Sequence, residues 1–353
     1  MTGGPRRALD GPAARTALSL LVIGVVFAGV LPRIADYSAA WTLVRDLTPG
    51  EVAVLASVAL LNLFSYAPLW AVALPGLGLR RAVLADQAST AVSNTVPAGF
   101  AFGVGTTAAM YSSFGHSPAE ITRAVVVTGL WNDFVKLGMP VVALLALSVT
   151  GDAPQALVLA SVLGALVLAA VICTLAVVLV HRGAAVRLAG AAEAVAGRLS
   201  RSLHRRAPSG WAEQVDRFRA DSRVLLERRW AGLTMASVAS HAALFAVLLT
   251  ALRCVDGAGA DVSWAAVLAV FSLTRLVTLV PVTPGALGVA ELSYVAGLTA
   301  VGVGAAAATG AVLLFRFLTW FLPIPSGVVA WTLWRRGAGQ VHTPAGRPAL
   351  TGS

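Results

Sequence analysis

The stretch Asn94-Thr95-Val96-Pro97-Ala98-Gly99-Phe100-Ala101-Phe102-Gly103-Val104-Gly105 decides how this chain folds. It sits inside an apolar block, residues 88–114, yet carries a proline and three glycines. Proline removes a backbone donor and glycine weakens a helix, so a plain lipid-facing span is a poor fit. Broken backbone at membrane depth is tolerated only where protein or a wet cavity satisfies it. The block is therefore expected to be a re-entrant hairpin that enters and returns on one side.

Composition says that the solvent is mostly lipid. Of the 353 residues, 58% are hydrophobic and 12% charged, with a mean hydropathy of +0.81. Soluble domains carry about 25% charged residues, so a soluble enzyme, a disordered chain and a collagen-like fibre are excluded. The net charge is +10. Lys136 is the only lysine, and eleven arginines fall between Arg182 and Arg229. In a soluble domain such a balance would suggest nucleic acid. Here it reads as a cytoplasmic loop facing anionic lipid, with no nucleic-acid partner. Cys173 and Cys254 give neither a disulfide framework nor a metal spacing.

The other apolar blocks are residues 16–31, 52–74, 121–149, 155–180, 232–252 and 264–334. About 20 helical residues cross a bilayer core. Residues 16–31 could be a signal-peptide core, but the chain beyond is polytopic and shows no clean cleavage site, which favours a first span. If residues 88–114 crossed fully, the arginine-rich loop would lie outside, against the positive-inside bias. A hairpin removes that conflict.

The same device recurs in Val280-Pro281-Val282-Thr283-Pro284-Gly285-Ala286-Leu287-Gly288-Val289-Ala290-Glu291, which interrupts residues 264–303. If this hairpin enters from outside, the next span carries Arg335 and Arg336 to the cytoplasm. The expected fold class is an all-α polytopic membrane protein with about six full spans, two re-entrant hairpins and inverted repeats. Such repeats place a site near the midplane. The expected layout is a cytoplasmic tail (1–15), a first half (16–181) with its hairpin near 88–114, and a basic amphipathic loop (182–231). A second half (232–336) with its hairpin near 264–303 and a disordered cytoplasmic tail (337–353) complete it. In the loop, Val186, Val195, Leu199 and Leu203 share a helical face, and Trp211, Val215, Phe218, Ser222 and Leu225 continue the period. Both a topology-setting loop and a lipid-sensing surface fit that pattern.

No phosphate-binding loop, HExxH, paired-cysteine motif or GxSxG is present, and Gly103-Val104-Gly105 lacks the third glycine of a dinucleotide fingerprint. No catalytic residue, cofactor or metal is expected. Ionisable residues inside the apolar blocks are costly and normally face the bundle interior. Glu291 follows the second break, Arg316 lies mid-span, and Arg275 precedes Pro281 by six residues. A Glu291–arginine pair fits two roles, pinning the hairpin or meeting a substrate anion, for which guanidinium is suited. Asp133 and Lys136 read either as a local i,i+3 ion pair or as groups facing the first hairpin. Asn94 either caps broken backbone or meets substrate. His241 and Asn62 read as packing residues.

Pro281-x-Thr283-Pro284-Gly285-x-x-Gly288-x-x-Glu291, followed by Gly302, Arg316 and Trp320, resembles the lysylphosphatidylglycerol synthase transmembrane-region family. Pro97-Ala98-Gly99, Gly103, Gly115 and Asp133 look like that family too, so the likeness spans about residues 15–336. Ala286 and Ala98 stand where the family more often has paired glycines, and Gly129 and Leu130 stand where an acidic-basic pair commonly precedes the aspartate. The resemblance implies the flippase-like part of the multiple peptide resistance factor, and the end of the chain at Ser353 implies that part without the aminoacyl-transfer domain. The expected function is translocation of an anionic or modified phospholipid, or a polyprenyl-linked lipid, across the plasma membrane. Both termini would be cytoplasmic, and membrane lipids the partners. A small-solute or ion permease and a non-transporting membrane partner of a lipid-modifying enzyme or glycosyltransferase are the alternatives.

Overall fold

The computed structural model describes residues 37–96, 99–150, 211–255, 262–279 and 286–338, with scattered positions between 166 and 194. The protein is an all-α membrane protein. Its described helices are α1 (Tyr37–Arg45), α2 (Pro49–Ser65), α3 (Ala67–Ala73), α4 (Leu79–Thr95), α5 (Gly99–Ser113), α6 (Pro118–Thr150) and α7 (Trp211–Val255). They continue with α8 (Trp264–Val277), α9 (Val289–Ala300), α10 (Ala305–Arg316), a π turn (Phe317–Phe321) and α11 (Pro323–Ala338).

Four stretches are long and apolar enough to cross a bilayer: Pro49–Ala73, Pro118–Val149, Leu225–Val255 and Ala305–Arg336. They coincide with four of the six expected spans. The other two, residues 16–31 and nearly all of 155–180, lie outside the described residues. Large apolar side chains such as Leu61, Phe100, Phe102, Met235 and Val149 are exposed on the bundle's outer surface, as a lipid-facing surface requires.

Helices α4 and α5 pack against each other as a helical hairpin, and so do α8 and α9. With 17, 15, 14 and 12 residues, each arm is shorter than the roughly 30 Å hydrocarbon core at about 1.5 Å per residue. The first arm starts at Leu79 rather than near residue 88. Gly78 is its N-cap, and Arg80, Arg81, Asp86 and Gln87 form its first turns. Polar residues hid this start from a hydropathy reading.

Each hairpin has its own core. The first packs with α3, α7 and α11 around Trp70, Tyr111, Leu233 and Ala330. The second packs with α2, α7 and α10 around Leu248, Phe271, Tyr294 and Phe315. The tilted, stacked and edge-on ring contacts along Phe245, Phe271, Tyr294 and Phe315 lock α7, α8, α9 and α10 together. The span α10–π turn–α11 therefore serves both hairpins, one with each half.

Helix α7 runs unbroken for 45 residues, about 68 Å. It joins the end of the expected basic loop to the span at 232–252 because no proline interrupts Trp211 to Val255. Ser222 and Leu225 are buried, whereas Val195, Leu199 and Leu203 lie outside the described residues. One end of the bundle collects cations. The Arg81 guanidinium sits 5.3 Å from the Phe114 ring centre, Arg229 donates to the Val72 carbonyl at 3.4 Å, and Trp334, beside Arg335 and Arg336, donates to Ser113 at 2.8 Å.

Candidate functional site

Glycines bring the arms of each hairpin together. A Cβ on Gly99 would fall 2.0 Å from the Ser93 carbonyl oxygen, and one on Gly103 2.0 Å from Ser93 Oγ. Spaced four apart, these glycines let two helix backbones approach closely. In the second hairpin a Cβ on Gly297 would fall 2.6 Å from Val270 Cγ1. Pro97, Pro281, Thr283, Pro284 and Gly285 lie outside the described residues.

Where the second break resolves into α9, Ala286 has φ +54° and Gly288 has φ +83°. The Gly288 N–H donates to Glu291 Oε2 at 2.6 Å, so this carboxylate caps its own helix. Its other oxygen accepts from Arg316 Nε at 2.7 Å. Glu291 is buried and the Arg316 side chain largely so. The pair ties the start of α9 to the end of α10.

Directly after Arg316 the helix widens into the π turn, in which the Leu322 N–H reaches back to the Phe317 carbonyl at 2.9 Å. Pro323 and Pro325 lack the N–H groups that would close the ladder behind it. The Trp320 carbonyl accepts instead from Asn94 Nδ2 at 2.9 Å. Asn94 stands at the end of α4, just before the first break. The two hairpin tips thus meet one span, Asn94 at Trp320 of the π turn and Glu291 at Arg316 just before it. π turns inside α-helices are frequent at functional sites.

Beside this junction lies a cavity of about 250 Å³, lined from α2 and α3 by Asn62, Tyr66 and Trp70 and from α4 by Asp86, Gln87, Ser89 and Thr90. Gly103, Val104 and Thr107 of α5, Ser240 of α7, Thr319 of the π turn and Pro323 complete it. Gln87 donates to the Leu63 carbonyl at 2.6 Å and accepts from Ser326 Oγ at 2.6 Å, stapling α2, α4 and α11. Next to it Gly327 is pressed so close to α4 that a Cβ would fall 2.3 Å from Ala91 Cβ.

The remaining charged residues form a looser group. Lys136 Nζ pairs with Asp133 Oδ1 at 3.2 Å on the same helix, with Asp133 half exposed and Lys136 mostly buried. Arg275, in the last turn of α8, has a buried Nε without a partner among the described residues. His241 Nδ1 lies 3.0 Å from the Ser237 carbonyl oxygen, and its buried Nε2 has no partner among the described residues. Arg275, Asp133 and Lys136 are all within electrostatic range of His241. Tyr66 is within range of Asp86 as well as of Asp133 and Arg275, which places it between the cavity and this group.

The profile described as "Lysylphosphatidylglycerol synthase TM region" matches residues 16–327. The chain belongs to this family. No curated protein matches it. The family is the membrane part of the synthase that its name records, and its profile covers both hairpins, the π turn and the cavity. Within this transmembrane region, hydropathy did not single out Asp86, Gln87, Tyr66 and Ser326. For Asp86 and Gln87 the sequence signal is an acid and an amide five and six residues after Arg81, on one helix with Ser89, Thr90 and Asn94.

Proposed function

We propose that this family member translocates an anionic or modified phospholipid, or a polyprenyl-linked lipid, between leaflets of the plasma membrane. The observation that carries this reading is the meeting of both hairpin tips on one span at the π turn, beside a cavity lined by Asp86, Gln87 and Thr319. A headgroup entering there would exchange water for the Arg316 and Arg275 guanidiniums, which suit phosphate. Arg316 is already held by Glu291, so the carboxylate would keep the cation placed when no headgroup is bound. Asp133, Lys136 and Asn94 would line the approach. The apolar outer surface gives acyl chains a path outside while the headgroup passes inside.

Arginine at one end of the bundle supports an orientation. Arg80, Arg81, Arg229, Arg335 and Arg336 gather there, and the positive-inside bias puts that end in the cytoplasm. Both chain termini would then be cytoplasmic, the first hairpin would enter from the cytoplasm and the second from the opposite face.

The test is leaflet-resolved lipid scrambling in proteoliposomes with the parent, Arg316→Ala and Glu291→Gln, each checked for monodispersity. A several-fold loss of rate in both variants is expected. Equal rates in all three would remove these residues from the site. Solute uptake that ignores lipid composition would favour a permease instead.

A further inference from the structure

Asp86 is a buried carboxylate with no ion pair among the described residues. It is 7% exposed, held by the Trp70 side chain and by Gln87 Nε2 at a long 3.5 Å. That Gln87 amide is already committed to the Leu63 carbonyl. Among the described residues Asp86 makes no ion pair. The titratable groups facing it are Tyr66, from the corner between α2 and α3, and Tyr111, from α5. Helix α3 presents Trp70 to α4 and helix α11 presents Ser326 and Gly327, none of them charged. Arg80 and Arg81 stand on its own helix, at the arginine-rich end.

A buried carboxylate without a counter-charge is strongly disfavoured. Among the described residues no cation neutralises Asp86, so the cavity is left to supply the counter-charge. Asp86 lines the 250 Å³ cavity together with Asn62, Tyr66, Ser89, Thr90, Thr107 and Ser240, all of which carry neutral side-chain oxygens. One carboxylate among neutral oxygens balances one positive charge, whereas a divalent ion would leave a surplus in an apolar bundle. Hard cations favour oxygen ligands of this kind.

We infer that Asp86 and the cavity around it form a binding site for one small monovalent cation, a proton or a sodium ion. The lining comes from both arms of the first hairpin and from Thr319 of the π turn, so the bound cation sits between the first hairpin and the π turn. This site goes beyond the lipid reading and does not rest on Arg316 or Glu291. Failure of the scrambling experiment would leave it standing.

The experiment is infrared difference spectroscopy on the purified full chain in nanodiscs of plain phosphatidylcholine, in sodium and in choline buffers. Retention of radioactive sodium is measured on the same samples. If the cation is a proton, a carboxylic-acid carbonyl band is present at neutral pH in both buffers. It disappears in Asp86→Asn and shifts in Asp86→Glu. If it is sodium, that band is present in choline only, and the parent retains sodium while Asp86→Asn does not. Should Asp86→Asn fail to fold, the shift in Asp86→Glu still assigns the band. No carboxylic-acid band in either buffer, together with no sodium retention, overturns the inference. So does a band that vanishes only when an amine-bearing lipid is added, because the cavity then holds a headgroup.

Discussion

Arg316 Nε donates to Glu291 Oε1 at 2.7 Å while Glu291 Oε2 accepts the Gly288 N–H at 2.6 Å. One buried carboxylate thus caps α9 and anchors the span that follows. Removing one partner of a buried pair costs about 3–5 kcal/mol, because the other charge is left behind. Glu291→Ala should approach that cost, since it loses the cap as well. Glu291→Gln keeps an oxygen for Gly288 and should cost less. Combining it with Arg316→Met should cost less than the sum of the two single changes. Thermal unfolding in detergent, read as a double-mutant cycle, checks the coupling.

The closest helix contacts predict a ranking among glycine-to-alanine changes. At Gly99 and Gly327 the new methyl would meet backbone, the Ser93 carbonyl at 2.0 Å and the Gln87 carbonyl at 2.4 Å. At Gly103 the first obstacle is Ser93 Oγ, which a rotamer change can move. Gly99→Ala and Gly327→Ala should each destabilise by about 1–3 kcal/mol, and Gly103→Ala by less. Unfolding midpoints of the three variants test the order. Equal losses would mean that the α4–α5 and α4–α11 contacts are looser than the distances imply.

Ala286 sits at φ +54°, a left-handed conformation that costs an L-residue about 1–2 kcal/mol. Ala286→Gly should therefore stabilise the protein, by about 1 kcal/mol or somewhat less because glycine also loosens the unfolded chain. Ala286→Val should destabilise it. Chemical unfolding of the pair checks the sign.

How much of this was legible beforehand depended on contrast. Glu291 and Arg316 stand out in the sequence because they are charges inside apolar runs, and the structure joins them. Both helix breaks were readable from proline and glycine against the same background. Asp86 was not readable, because Arg80, Arg81 and Gln87 make its surroundings look like a solvated connection. Only packing against α3, α5 and α11 buries it. The 45-residue α7 was obscured similarly. Its charged first half reads as a loop, although no proline ends the helix before Val255. Asp133 and Lys136 form the i,i+3 pair their spacing suggests, but spacing alone could not reveal that Lys136 is the more buried partner.

The contact between Asn94 and the Trp320 carbonyl ties the first hairpin to the π turn that follows Arg316, the residue paired with the second hairpin's Glu291, so its loss should uncouple them. Asn94→Leu keeps approximate size and leaves a carbonyl at the π turn without its donor, a loss of about 1–3 kcal/mol. Asn94→Asp removes the donor and sets a partly buried negative charge against a carbonyl oxygen, so it should be worse. If the contact is only structural, the effects of Asn94→Leu and Glu291→Gln on stability should simply add, since the residues sit on separate hairpins. If the π turn transmits between the tips, the pair should show an interaction energy above about 0.5 kcal/mol. Asn94→Leu alone should then also loosen the start of α9. Hydrogen exchange at the amides of residues 289–292 reads that loosening directly, and unchanged protection there would confine the contact to the first hairpin.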